Sequence, residues 1–148
     1  MRPYLFLTLC LILTNIVMVY SVDAQEVKIT IPHNGDTVPG YFEVAGTAKG
    51  ITSGQAIWIF VNSPGTDRYY PQHSVEITPN GFWYTNATIG ENAYSGSEYK
   101  ILAVIADDKA NKILMSYLDE SKRNDSWNGL ASLPDGSMPR DMITVKKG

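Results

Sequence analysis

Polar and apolar residues alternate from Glu26 to Ile31, which puts Val27, Ile29 and Ile31 on one side of an extended chain. Such a period of two predicts a strand buried on one face. The turn cluster Pro32-His33-Asn34-Gly35-Asp36 ends it, and a second strand follows over Tyr41 to Ala48 with Phe42, Val44 and Gly46 together. Gln55 to Asn62 is different: Ile57, Ile59 and Val61 point one way, Trp58 and Phe60 the other. Alternation returns over His73 to Thr78 through Val75 and Ile77, and after Pro79-Asn80-Gly81 over Phe82 to Ile89, where Trp83, Ala87 and Ile89 share a face. Glu98 to Ala106 is again apolar on both faces, with Ile101, Ala103 and Ile105 opposite Leu102, Val104 and Ala106.

The period then lengthens. From Asp108 to Ser121 the apolar positions are Ala110, Ile113, Leu114, Tyr117 and Leu118, a helical stripe. Asp107 or Asp108 can cap its start, and Lys122 and Arg123 suit the negative end of its dipole. A polar stretch, Asn124 to Asp141, leads to a last strand, Met142 to Lys147, carried by Ile143 and Val145. The expectation is therefore an all-β fold, an immunoglobulin-like seven-strand sandwich with one helix inserted between the last two strands. In that topology the third and sixth strands are central neighbours, and these are the two with apolar residues on both faces. A sheet covered on both sides needs an outer layer, which only the helix can supply.

Residues 29–48, I-T-I-P-H-N-G-D-T-V-P-G-Y-F-E-V-A-G-T-A, resemble the opening of bacterial and archaeal immunoglobulin-like domains of secreted and cell-surface proteins. The resemblance rests on Ile31, Pro32, Asn34, Gly35, Thr37, Val38, Gly40, Val44, Gly46 and Ala48. It implies an accessory or adhesive surface module and carries no catalytic signature. The helix departs from the family's ordinary seven-strand pattern.

The start of the chain points to the same compartment. Arg2, an apolar run from Tyr4 to Tyr20, and Val22 and Ala24 before Gln25 read as a signal peptide over residues 1–24. The segment left uncleaved would instead be a membrane anchor, the one membrane contact expected. Residues 25–148 then form one domain. The single cysteine, Cys10, leaves with the signal, which removes disulfides, catalytic thiols and Cys-based zinc sites from the mature chain. Net charge is −3 with no cluster of Lys or Arg, so nucleic acid is not an expected partner.

Aromatic residues supply the candidate contacts. Trp58 and Trp83 fall on core parity. Tyr69 and Tyr70 are adjacent and point to opposite sides in extended chain, so at most one belongs to the core. The other, with Asp67, Arg68 and Gln72 supplying hydrogen bonds, is the expected ligand contact. Tyr84 and Trp127 are further aromatic candidates. Asp107-Asp108 and Asp119-Glu120 lack the alternating spacing of a calcium loop, whereas Asn124 to Gly129 is rich in oxygen ligands. His33 and His73 form no zinc-spaced pair, and neither a nucleophile elbow nor a phosphate-binding glycine loop occurs. No metal, cofactor or catalytic residue is therefore assigned. Asn86-Ala87-Thr88 and Asn124-Asp125-Ser126 fit the N-glycosylation pattern, Asn86 facing outward. Leu133-Pro134-Asp135-Gly136 lacks the threonine of a sortase signal. The expected function is a secreted (extracellular or periplasmic) or cell-surface, non-catalytic interaction module that binds a protein or an envelope component. The alternative is a carbohydrate-binding module, with cell-envelope polysaccharide as ligand, using the exposed aromatics near Tyr69-Tyr70.

Overall fold

The computed structural model describes residues 24–90 and 95–148; apart from Ala24, the expected signal peptide lies outside them. Eight strands and one helix follow in the order β1 (Glu26–Ile31), β2 (Thr37–Val38), β3 (Tyr41–Lys49), β4 (Ala56–Asn62), β5 (Tyr69–Val75), β6 (Phe82–Thr88), β7 (Glu98–Ala106), α1 (Asp108–Asn124) and β8 (Ser137–Lys147). They form a three-stranded sheet, β1-β3-β6, and a five-stranded sheet, β2-β8-β7-β4-β5. All pairings are antiparallel except that of β2 with β8. The protein is thus mostly β, two facing sheets with a helix on the outside of the larger one.

The two strands that are apolar on both faces, β4 and β7, pair along the whole of β4, from Ala56 opposite Ala106 to Asn62 opposite Lys100, inside the five-stranded sheet. On the inner face Ile57, Ile59, Val61, Ile101, Ala103 and Ile105 meet Val27, Val44, Trp83 and Ala87 of the other sheet. On the outer face Trp58, Phe60, Leu102, Val104 and Ala106 meet Ala110, Leu114 and Leu118 of the helix. The chain therefore has two cores divided by one sheet. At the helix start Asp107 is the cap, its Oδ1 accepting the Ala110 N–H at 2.8 Å. Lys122 and Arg123 lie in the last turn. Of the expected stripe, Ala110, Leu114 and Leu118 are buried, with Ser121 beside them, but Ile113 is exposed and Tyr117 half-buried. On the solvent side Asp108 accepts a hydrogen bond from Lys112, which with the charge of Asp108 raises the lysine above its ordinary pKa. That pair is fully exposed, so solvent screens most of its effect on stability.

Trp58 and Trp83 are both buried, as their parity requires, but they are held differently. The Trp58 indole N–H donates to Asn111 Oδ1 on the helix at 2.8 Å, so one polar bond joins the sheet to its cover. Trp83 stands directly opposite Gly46 in the β3–β6 register. A Cβ at Gly46 would overlap the Lys28 carbonyl oxygen and the indole ring, so the missing side chain is the space that the ring fills.

Four expectations need correction. Ile31 is exposed rather than buried with Val27 and Ile29: Thr30 is an extra residue in the pairing with β3, and this bulge turns the rest of the strand over. The fifth strand begins at Tyr69 and ends at Val75, so Tyr69 and Tyr70 are strand residues and Ile77 lies beyond the strand and is exposed. The last strand begins at Ser137, five residues before Met142, because a second bulge at Arg140 restores inward parity for Met138. Among the described residues there are eight strands rather than seven. The additional one is β2, whose two residues are held parallel to Lys146–Lys147 and are too few to show a period.

Two substitutions test these contacts by urea unfolding. Asn111→Ala leaves a buried indole N–H without its acceptor and is expected to cost about 1–3 kcal/mol, with Lys112→Ala as a near-neutral control. Gly46→Ala is expected to destabilise by about 3 kcal/mol or more, because the overlap is with backbone and a packed ring that cannot both move aside.

Candidate functional site

The sequence placed a contact site at residues 67–72, and the fold distributes those residues among different duties. Asp67 and Arg68 are exposed in the turn between β4 and β5; among the described residues neither side chain makes an ion pair or hydrogen bond. Tyr69 and Tyr70 do point to opposite sides, yet each is half-buried against a core. Tyr69 packs on the helix-side cluster and Tyr70 on the inter-sheet cluster. The expectation that at most one could be core did not extend the helix-side core to this strand; as residues of β5, in a sheet covered on both faces, they meet one core each.

Gln72 is fastened in place. Its Oε1 accepts the Thr88 N–H of β6 at 2.8 Å, and its Nε2 donates to the Tyr70 carbonyl at 3.1 Å. It therefore ties the edge of one sheet to the edge of the other. On the opposite side of the sandwich Asp141 does the same, its Oδ2 accepting the Ile29 N–H of β1 at 2.8 Å.

Beside Tyr70 lies a cleft of about 470 Å³, within the range of roughly 300–1,000 Å³ usual for small-molecule sites. Its floor is Val61, Tyr70, Pro71 and Ile89; Ser63, Gln72, His73, Thr88 and Gly90 contribute its polar rim, and Tyr117 and Trp127 form a further wall. These residues come from β4, β5, β6, the helix and the loop after it. Gly129 holds the aromatic wall together. Its N–H donates to Tyr117 Oη at 3.0 Å, and a Cβ there would stand 2.9 Å from the Tyr70 ring. At φ +67° the position suits glycine in any case. The neighbouring Leu130 exchanges both backbone hydrogen bonds with Tyr69, at 2.9 and 2.7 Å, which pins the loop to the edge of β5.

A second aromatic group lies on the solvent face of the three-stranded sheet. Tyr41, Phe82 and Tyr84 are 64, 58 and 70% exposed. Phe82 and Tyr84 are two residues apart on one strand, about 7 Å, opposite Thr47 and Ala45; Tyr41 lies opposite Thr88. Asn86, an exposed sequon residue, sits between them on this face; Asn124 is also exposed, at the end of the helix. Sequence reasoning named Tyr84 and Trp127 but missed Tyr41, Phe82 and Tyr117. Outward parity on their strands was the available signal for the first two.

The other motifs are taken up by structure. Asp107 caps the helix, and Leu133 to Gly136 wraps its start, Asp107 N–H donating to the Gly136 carbonyl. His33 lies beside Asp36 at 3.4 Å in an exposed turn. Among the described residues no three His, Cys, Asp or Glu side chains converge as metal ligands, and no helix is long and apolar enough to cross a membrane. A scan of the chain against protein-family models finds no match, and a comparison with curated proteins finds none either.

The division of labour at residues 67–72 is measurable. Gln72→Ala is expected to lower unfolding free energy by about 1 kcal/mol through the lost Thr88 bond, whereas Asp67→Ala and Arg68→Ala should stay within about 0.5 kcal/mol of the parent in the same titration.

Proposed function

We propose that this protein is a secreted or cell-surface, non-catalytic module of immunoglobulin-like topology that binds a protein or another component of the cell envelope. The strand arrangement supports the fold part of this reading. β1, β3 and β6 correspond in order to the first, second and fifth strands of an immunoglobulin-like sandwich, and β8-β7-β4 to its last, sixth and third, with β5 as the added edge strand. The residues of the 29–48 motif have roles that fit such a domain. Asn34 Oδ1 accepts the Thr144 N–H at 2.8 Å, and the Gly35 N–H donates to the Thr144 carbonyl at 2.7 Å, where the chain crosses from one sheet to the other. Secretion rests on residues 1–24 alone.

The observation that carries the binding part is the exposure of Tyr41, Phe82 and Tyr84 on one face of the three-stranded sheet, Phe82 and Tyr84 as near neighbours on β6 and Tyr41 further along on β3. Single exposed apolar residues are ordinary on a protein surface, but three large aromatic rings on one sheet face are a mark of a contact surface. Tyr69 and Tyr70, on which a carbohydrate platform at the β4–β5 turn would depend, give less of their surface to solvent because both pack inward.

The test is retention of host envelope material by immobilised protein, compared with a Phe82→Ser/Tyr84→Ser variant. The same component should be retained by the wild type and lost from the variant, with the melting temperature unchanged within about 2 °C because the rings are largely solvated already. Equal retention by both proteins would remove this face from the function.

A further inference from the structure

We propose that the cleft beside β5 is a second binding site, which takes an uncharged sugar unit of a glycan with Trp127 as its stacking surface. The site is separate from the aromatic sheet face and does not depend on it.

Three features argue for this ligand class. The first is the wall. Tyr70, Tyr117 and Trp127 come from a strand, a helix and a loop, and the contacts at Gly129 hold the first two in place. Trp127 lines the cleft and remains 48% exposed although the loop is pinned at Leu130, so about half of the side chain is open to contact. A sugar ring offers an apolar C–H face that covers such a ring, a contact that adds to the area term through the ring's negative face.

The second feature is charge. No Asp, Glu, Lys or Arg is among the described residues that line the cleft. A charged ligand would lose its hydration here and find no counter-charge among these lining residues, which is costly. The third is the rim: the Ser63 hydroxyl, the His73 imidazole and the second amide hydrogen of Gln72 can bond hydroxyl groups, whereas a wholly apolar ligand would leave them dry and unpaired. An added peptide strand fits less well. On the edge of β5 the N–H and carbonyl of Tyr69 are already taken by Leu130, and Pro71 has no N–H to give.

The experiment is a titration of the purified protein with cellotetraose, mannotetraose and tetra-N-acetylchitotetraose as uncharged probes, and an oligogalacturonate as the anionic one. Trp58 and Trp83 are buried, so the indole N–H signal of Trp127 in a heteronuclear NMR spectrum reports on the cleft without any substitution. We expect at least one uncharged probe to shift that signal saturably while the other two indole signals stay in place. By calorimetry, Trp127→Ala should weaken binding by at least about tenfold, Trp127→Phe should restore part of the loss, and Phe82→Ser/Tyr84→Ser should bind as the wild type does. The proposal is overturned if no uncharged probe saturates the protein or if only the oligogalacturonate binds. It is equally overturned if binding survives Trp127→Ala, or is lost with Phe82 and Tyr84, which would move the sugar to the sheet face.

Discussion

The β4–β7 pair is the constraint from which the rest of the structure follows. Its side chains are apolar on both faces from Ile57 to Val61 and from Ile101 to Ala106, so neither face can be left to water. One face is covered by the three-stranded sheet and the other by the helix, and each cover has its own fitted contact. For the sheet it is Trp83 over Gly46, where one strand gives up a side chain so that its neighbour can bury the largest one. For the helix it is the Trp58–Asn111 bond, which fixes the rotation and height of an element that apolar packing alone would hold less specifically. The Trp83 indole N–H, by contrast, has no acceptor among the described residues.

The two sheets meet along open sides, and polar side chains close them. Asp141 reaches from β8 to the Ile29 N–H, and Gln72 from β5 to the Thr88 N–H, each supplying an acceptor to an edge strand that has no strand neighbour there. Both straps lie at irregularities: Asp141 follows the Arg140 bulge and faces the Thr30 bulge in β1, and Gln72 lies where β5 slips out of register with β4. A bulge re-aims a side chain, which is how one residue of a flat ladder comes to point across to the other sheet. The same irregularity in β5 borders the cleft, so the device that closes the sandwich also shapes its concave side.

These arrangements explain why the candidate contacts divide into two groups. On the three-stranded sheet no described element covers the outer face, and outward parity brings Tyr41, Phe82 and Tyr84 to that one side. At the β5 edge the cleft is lined by residues of both sheets, of the helix and of the loop that follows it. The loop is held by backbone bonds at Leu130 and by the Tyr117 hydroxyl at Gly129, so Trp127 is presented by an anchored segment.

Periodicity alone determined the elements that are long and regular. The strands at Glu26, Tyr41, Ala56, Phe82 and Glu98, the helix, its acidic cap and the burial of Trp58 and Trp83 were legible, because alternation records which side of an element meets the core. The position of the helix over the central pair was legible as well, since two faces needed two covers. Tertiary structure decided whatever depends on partners distant in the chain. Ile31 and the start of the last strand were misread because a bulge is defined by the strand opposite it. β2 was missed because two residues have no period and their strand partners, Lys146 and Lys147, lie at the other end of the chain. Tyr69 and Tyr70 could be given opposite directions from sequence, but only the fold placed them in β5, within reach of both cores. Gln72 looked like a ligand contact because glutamine carries the same donors and acceptors whether it meets a sugar or a backbone amide; its bond to Thr88, sixteen residues away, exists only once the sheets face each other.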